Sequence, residues 1–274
     1  MSESNLKKRV LSAAGVLLVL LLATFFFKAR GALAVGLIVC IGGVFEYAQL
    51  VLRPLGSKFW ALSAYFLFGV ELLITSSFFS PQTALLGFIA LLPVFAASAL
   101  WSKRMEQDVF AVQPFVAHSF FGFFYAAFLP GLTLHLLSTP QGAKWFATLL
   151  VVVFVGDISA YFGGSIFRGP KLMPLVSPNK TVSGSLVGLV VSSAAGVFFI
   201  QKIHLPVSII VAFFICLIAN LLAQSGDLFE SLLKRVGNVK DSGYFMAGHG
   251  GVLDRLDGIY FAAPVILCAA HWFS

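Results

Sequence analysis

The chain has 274 residues, of which 59% are hydrophobic and only 11% are charged. Ordinary soluble domains hold roughly 45–50% apolar and about 25% charged residues, so the composition excludes a soluble globular protein, a disordered chain and a collagen. The three cysteines lie in apolar runs without metal-like spacing, which also excludes a disulfide scaffold. The net charge of +7 indicates loops facing anionic lipid headgroups rather than a nucleic-acid partner.

The sequence predicts an all-α, polytopic integral membrane protein, because a membrane helix needs about 20 mostly apolar residues. Nine spans fit this rule in chain order: 10–27, 31–52, 59–79, 82–101, 109–129, 144–166, 184–201, 206–224 and 256–273. We divide the chain into residues 1–150, with five spans of generic composition, and a catalytic membrane region, 151–274, with loops at 167–183 and 225–255. An alternative for the first span is a signal peptide cleaved after Ala32-Leu33-Ala34.

The basic residues predict a cytoplasmic N-terminus. With that orientation, 14 of the 18 Lys and Arg residues fall on the cytoplasmic side. The four that fall outside are Lys28, Arg30, Lys144 and Lys202. This asymmetry follows the positive-inside rule and supports an odd number of spans.

Acidic residues mark the candidate site. Glu46 and Glu71 lie within predicted spans, where a carboxylate is costly; each is either functional, or is bonded to a neighbouring helix or close to the interface. A transporter that uses such acids as an ion path is therefore one alternative. Six other acids collect near the predicted cytoplasmic face in the last 120 residues: Asp157, Asp227, Glu230, Asp241, Asp254 and Asp257.

The spacing of these acids predicts a divalent cation. Asp227 and Glu230 are three residues apart, as are Asp254 and Asp257, so each pair shares a helix face. Two such faces joined by one loop can point at a common spot, and oxygen ligands suit Mg²⁺. A single nearby histidine, His249, is a poor basis for a zinc site.

Cations and glycines in the same region favour a phosphate ligand. The cations are Lys180, Lys234, Arg235, Lys240 and Arg255. Alternating acids and bases can form plain salt bridges, or the acids can hold a metal while the bases hold phosphate oxygens. The run Gly248-His249-Gly250-Gly251 just before a helix start favours the second reading, since glycines and free helix N–H groups accommodate an anion.

The loop at 168–185 is a second candidate part of the ligand-binding site. Thr181 or Ser183 is expected to cap the next helix, and Lys180 at that helix start favours an anionic partner. A capped loop with a lysine that simply reaches the interface is equally compatible with these residues. Asp157 lies about two turns inside span six, where it can reach the metal region or bond to a neighbouring helix.

The C-terminal pattern resembles a known family. Its positions are Ser231, Lys234, Arg235, Lys240, Asp241, Gly243, Gly248, His249, Gly250, Gly251, Asp254, Arg255 and Asp257. With Gly226-Asp227, the stretch from Asp157 to Phe162 and the loop from Ser177 to Thr181, they closely resemble the phosphatidate cytidylyltransferases. The chain departs from that family at Ala247, where proline is usual, and at Val182-Ser183, where Trp-Glu is usual.

The resemblance implies an enzyme that transfers a cytidylyl group from CTP to phosphatidate, giving CDP-diacylglycerol and pyrophosphate with Mg²⁺. It implies metal binding by Asp227 and Asp254, with Asp241 and Asp257 next. We expect catalytic roles for Asp227 and Asp254 with His249, Lys234 and Arg235, although His249 can instead be structural. Expected CTP contacts are Ser177, Lys180, Thr181, Lys240, Gly248, Gly250, Gly251 and Arg255.

The implied reaction is direct attack of the lipid phosphate on the α-phosphorus of CTP, which needs no nucleophilic serine or cysteine. The expected location is the bacterial inner membrane with the site facing the cytoplasm, and the family suggests a homodimer. A lipid phosphotransferase with a CDP-activated donor is a further alternative, but Asp257-Gly258 alone does not reproduce its run of aspartates.

Overall fold

The chain is helical, as its apolar runs predict. The computed structural model describes residue 22 and residues 25–27, 29–55, 59–100, 109–243 and 250–273. We label the helices α1 Ala29–Tyr47, α2 Phe59–Phe78, α3 Pro81–Leu100, α4 Val109–Gly122, α5 Leu129–His135, α6 Gly142–Phe167, α7 Val182–Lys202, α8 Ile209–Val236 and α9 Leu253–Phe273. A π-helical turn, Ala48–Leu52, extends α1, and a π-helical segment, Phe123–Phe128, joins α4 to α5.

The described part of the chain has seven helical segments long and apolar enough to cross a membrane, where the sequence predicted nine spans. They are Arg30–Leu52, Phe59–Phe78, Val112–Ser138, Gly142–Phe167, Val182–Lys202, Ile209–Val236 and Leu253–Phe273. The predicted span at 82–101 corresponds to α3, whose apolar stretch, Pro81–Ala97, falls short of the required length. The predicted span at 10–27 lies almost wholly outside the described residues.

Many large apolar side chains point outward, as lipid contact requires. Trp60 is 80% exposed, Phe198 71% and Ile210 71%. Such a surface would be a liability in water, whereas hydrocarbon accommodates it. The helices are therefore those of an integral membrane protein.

One compact unit comprises Met1–His135 with Gly237–Arg255. Its core is aromatic: the rings of Tyr47 and Tyr65 stack with centroids 6.0 Å apart, and Phe123 stacks on Tyr65 at 4.8 Å. The Tyr47 hydroxyl donates to the carbonyl oxygen of His118 at 2.9 Å, which satisfies a buried polar group between two helices. The C-terminal end of α1, which carries Glu46, is thus tied to α4.

The second compact unit comprises Leu136–Val236 with Leu256–Ser274. In it, α6, α7 and α8 pack closely against one another. Small residues allow this, because in a bilayer close backbone approach replaces the hydrophobic effect as the source of helix association. At Gly156 an added Cβ would lie closer than 3.0 Å to the Asn220 side chain, so α6 and α8 touch directly there.

Both predicted loops differ from the structure, one in its secondary structure and one in where it begins. The loop predicted at 167–183 contains a small antiparallel hairpin, β1 Lys171–Met173 paired with β2 Ser177–Thr181, which the all-α prediction missed. The loop predicted to begin at 225 begins only after Val236, since α8 continues for three more turns. Asp227 and Glu230 therefore project from the body of a long helix rather than from its end.

Candidate active site

The hairpin positions Lys180 beside α8. Thr181 follows directly and is the N-cap of α7: its hydroxyl accepts a hydrogen bond from the backbone N–H of Gly184 at 3.1 Å. This confirms one of the two predicted caps, while the Ser183 hydroxyl donates to the carbonyl oxygen of Arg168 instead. With its backbone fixed in this way, Lys180 forms an ion pair with Asp227.

Three carboxylates from three helices gather around this ion pair. Asp157 of α6 and Asp257 of α9 both interact electrostatically with Asp227 and with Lys180. We call Asp157, Asp227 and Asp257 the carboxylate cluster. Asp227 is 36% exposed and Lys180 29%, so a ligand can reach the pair. The ammonium group of Lys180 offsets only one of the three carboxylates. The cluster therefore keeps excess negative charge, which a bound cation would offset.

A close helix contact brings Asp257 into the cluster. A Cβ added to Gly226 would meet the backbone oxygen of Asp257 at 2.5 Å, so α8 and α9 can approach this closely only because residue 226 is glycine. One residue later, Asp227 points into the cluster. Gly226 therefore allows the close contact between α8 and α9, and Asp227 supplies a negative charge to the cluster.

A buried amide network supports the cluster from one turn deeper in α8. Gln224 donates to Asn220 Oδ1 at 2.8 Å and to the Ser185 carbonyl oxygen at 3.2 Å, and the Ser185 hydroxyl donates back to Gln224. Asn220 in turn donates to the Val152 carbonyl oxygen at 3.1 Å. These bonds fix α6, α7 and α8 relative to one another just below Lys180 and Asp227.

Two predicted phosphate-binding cations make contacts within the protein. Lys234 forms an ion pair with the fully buried Glu230 one turn earlier in α8. The Arg235 Nε donates to the carbonyl oxygen of Val176, just before β2, at 3.1 Å. Arg235 therefore holds the hairpin that presents Lys180, a role the sequence did not predict.

The glycine-rich segment comprises residues 243–251. Its C-terminal end, Gly250 and Gly251, is organised around Asp254. The Asp254 Oδ2 accepts hydrogen bonds from the backbone N–H of Ser242 at 2.8 Å, the Ser242 hydroxyl at 3.0 Å and the Gly251 N–H at 2.9 Å. Gly250 adopts a positive φ of 85°, which favours glycine. Asp254 thus closes the turn that starts α9.

Glu46 reaches the same segment from α1. Its Oε2 accepts hydrogen bonds from the Leu253 N–H at 3.1 Å and from the Ser242 hydroxyl at 3.3 Å. The sequence identified Glu46 only as an acid within a span, because the residues around it do not indicate hydrogen-bond partners about 200 positions away. A buried acid at the predicted cytoplasmic end of a span was the available signal.

The structure assembles the predicted site residues in two groups. The hairpin group holds Lys180 and Thr181 with Asp227 and Asp257; the loop group holds Asp254 with Asp241, Gly250 and Gly251. Lys240 and Arg255 are exposed, and Ser177 begins β2. Gly248 and His249 lie outside the described residues. Joint metal binding by Asp227 and Asp254, which belong to different units, stays a prediction.

Within the described ranges, no group of three or more His, Cys, Asp or Glu side chains is placed to enclose a metal ion. That does not conflict with Mg²⁺, which is usually bound by one or two carboxylates together with substrate phosphates. The oxygen-only chemistry of the carboxylate cluster fits this ion.

Comparison with known proteins gives one family. A sequence model of the cytidylyltransferase family matches residues 7–273. The phosphatidate cytidylyltransferase of Brucella abortus biovar 1 (strain 9-941) is 42% identical over 147 residues, 53% of this chain and 54% of that protein. That of Rickettsia felis is 34% identical over 201 residues, 66% of this chain and 88% of that protein. That of Bacillus subtilis (strain 168) is 41% identical over 133 residues, 48% and 49% of the two chains. The alignments span about half the length of the Brucella and Bacillus relatives.

Proposed function

Because this chain belongs to the cytidylyltransferase family, we propose that it transfers the cytidylyl group of CTP to phosphatidate, giving CDP-diacylglycerol and pyrophosphate. The relatives named phosphatidate cytidylyltransferase support this substrate pair. The observation that carries the proposal is the Lys180–Asp227 pair within the carboxylate cluster, a partly accessible charged site on membrane helices. Such a site can receive a water-soluble polyanion and a lipid headgroup together.

The reaction is a single displacement at phosphorus. A phosphate oxygen of phosphatidate forms a bond to the α-phosphorus of CTP, the bond from that phosphorus to the oxygen bridging to the β-phosphate breaks, and pyrophosphate leaves with the electron pair. The lipid is itself the nucleophile, so no covalent enzyme intermediate is needed. The chief barrier is charge, since two polyanions must approach each other.

Cationic side chains lower this barrier in the proposal. Lys180, held at the α7 start by the Thr181 cap, would exchange its bond to Asp227 for a phosphate oxygen when the nucleotide binds. Arg255, which is exposed in the first turn of α9, would bind a second phosphate. Arg235 acts indirectly, by holding the hairpin that carries Lys180. Lys240 keeps its expected role as a CTP contact, and His249 and Lys234 keep their expected catalytic roles.

Mg²⁺ is part of the proposal. When bound, it would neutralise phosphate charge and align the α-phosphorus for attack. Asp227 is the ligand we favour most, because it is the partly exposed centre of the carboxylate cluster, with Asp257 beside it. Asp254 and Asp241 remain the proposed ligands of the loop group.

The proposed location is the bacterial inner membrane with the site on the cytoplasmic side. The basic residues of the loops and the bacterial relatives support it. The acyl chains of phosphatidate would stay in the bilayer while its headgroup meets CTP. A homodimer is proposed from the family resemblance, and mass measurement in lipid nanodiscs tests it.

The decisive experiment uses the full chain purified in detergent with phosphatidate, Mg²⁺ and CTP labelled in the α-phosphate. We expect label to enter the organic phase as a CDP-lipid and pyrophosphate to appear in equal amount. The Asp227→Asn variant should lose this activity while keeping its elution profile. Absence of lipid-soluble label from the wild-type protein with all three components would refute the proposal, and ion flux in vesicles would instead favour the transporter.

A further inference from the structure

Glu46 lies where a hydrophobic residue would be expected. It belongs to the membrane span Arg30–Leu52 and only 5% of its surface is exposed. Burying a carboxylate is costly unless hydrogen bonds compensate for lost hydration. Its Oε2 accepts hydrogen bonds from Leu253 and Ser242, which are 207 and 196 positions away in the sequence, and the Val252 backbone N–H also faces the carboxylate. Those two residues flank the glycine-rich segment.

The backbone at Gly243 and at Gly251 lies directly against this carboxylate. A Cβ added to Gly243 would come within 2.5 Å of Glu46 Oε1, and one added to Gly251 would collide with Oε2. Glycine on each side of residues 244–249 therefore lets the chain pack onto the two oxygens. Glu46 touches both ends of the segment at once.

Ser242 links the two acids of this region. Its hydroxyl lies 3.0 Å from Asp254 Oδ2 and 3.3 Å from Glu46 Oε2, so it separates the carboxylates and can donate to either. Asp254 organises the start of α9, and Glu46 fixes where that turn lies. The Oε1 of Glu46 has no hydrogen-bond partner in the described part of the chain, so the fixing is done through Oε2.

We propose that Glu46 is a positioning residue for CTP binding: its Oε2 anchors Ser242 and Leu253 and thereby fixes the turn of Gly250 and Gly251 at the start of α9, whose backbone receives the triphosphate. This inference rests on the proposed function and on the CTP contacts that the sequence predicts at Gly250 and Gly251. It gives the N-terminal helices, whose composition is generic, a direct part in the site. It also predicts that the nucleotide, rather than the lipid, loses affinity when Glu46 is changed.

The test compares Glu46→Leu with Glu46→Gln. Leucine removes both acceptors, and loss of two buried bonds should raise the KM for CTP by about tenfold to a hundredfold. Glutamine retains one acceptor oxygen at the Oε2 position and should restore most of the affinity, because Oε1 has no partner to lose among the described residues. The KM for phosphatidate should stay within about twofold in both, since on this proposal the segment binds only the nucleotide.

Hydrogen–deuterium exchange of the ligand-free protein supplies a readout independent of turnover. Peptides from 237–255 should exchange faster in Glu46→Leu, whereas α8 peptides should be unchanged. Ser242→Ala should reproduce part of the effect if the leucine variant does not fold. The matched control is Glu71→Leu, which removes a carboxylate from an exposed position bonded only within its own helix turn to Thr75 among described contacts.

Each outcome decides the inference. Wild-type KM for CTP together with wild-type exchange in Glu46→Leu overturns it. Equal increases in both KM values with faster exchange throughout the protein also overturn it, because Glu46 would then serve general stability. If the wild-type protein does not use CTP, the proposed function fails and the exchange of 237–255 still decides whether Glu46 anchors the segment.

Discussion

Gly251→Ala is the most discriminating single change in the loop group. Gly251, unlike Gly250, does not have a positive φ, so its backbone does not require glycine on that ground. Its Cβ, however, would lie closer than 3.0 Å to both the Ser242 hydroxyl and the Glu46 Oε2. Both atoms must move, and the bonds that Oε2 accepts from Ser242 and Leu253 would lengthen or break.

The expected cost follows from these contacts. Overpacking costs roughly 1–3 kcal/mol, and two weakened hydrogen bonds add about 1 kcal/mol each. A loss of about 3–5 kcal/mol corresponds to a fall in unfolding midpoint of roughly 6–20 °C for a chain of this size. The measurement is thermal unfolding of the ligand-free protein in detergent.

A matched control separates this explanation from a simpler one. Gly87→Ala places a Cβ in ordinary contact with Thr75 at 3.6 Å and replaces a helical glycine, so its midpoint should stay the same or rise. If Gly251 were glycine only to let a phosphate approach, the ligand-free midpoint of Gly251→Ala would equal that of the wild type. That result would refute the packing argument.

Further changes test the hairpin group. Lys180→Met should lower turnover by at least about tenfold yet shift the unfolding midpoint by no more than a few degrees, since a partly exposed ion pair contributes about 0–1 kcal/mol; initial rates and thermal unfolding measure both. Arg235→Ala should raise the KM for CTP and speed proteolysis of residues 168–181, because the bond to Val176 is lost. Gly156→Ala should destabilise the protein by about 1–3 kcal/mol through overlap with Asn220, seen as a lower midpoint. Removing Mg²⁺ with EDTA should abolish turnover, and Mg²⁺ should restore it.

Opposite results are informative for each change. Unaltered turnover in Lys180→Met would remove the hairpin from the site. Equal protease sensitivity in Arg235→Ala and wild type would show that the hairpin is held by other contacts. A wild-type midpoint in Gly156→Ala would mean that α6 and α8 are less tightly packed than described. Turnover in EDTA without added metal would exclude Mg²⁺ from the mechanism.

Most helix positions could be predicted because lipid imposes one simple requirement on composition. The predicted span at 184–201 matches Val182–Lys202, and that at 144–166 matches Gly142–Phe167. The end of α8 could not be found in this way. Ser225, Gly226 and Asp227 lower the hydropathy although the backbone stays helical, because hydropathy reports partition into lipid rather than local conformation.

The site was predictable where its residues are close in the sequence. Lys180 next to its cap at Thr181, and Asp254 after the glycines, follow from local rules of helix starts. Glu46 does not, since its partners depend on how distant helices pack. The same limit applies to Arg235, whose charge suggested a phosphate while its Nε binds the hairpin backbone.

The length of α8 has a consequence for how the two substrates could meet. Its 28 residues extend about 42 Å, whereas a hydrocarbon core is about 30 Å thick. A span that enters the bilayer near Ile209 therefore runs out of hydrocarbon within about eight residues of Val236, near Asp227. Asp227 thus lies at about the depth of the lipid phosphates, and the remaining residues of the same helix continue toward the aqueous phase. A reaction between a bilayer component and a dissolved nucleotide needs such a shared level, and no mobile arm is required to reach it.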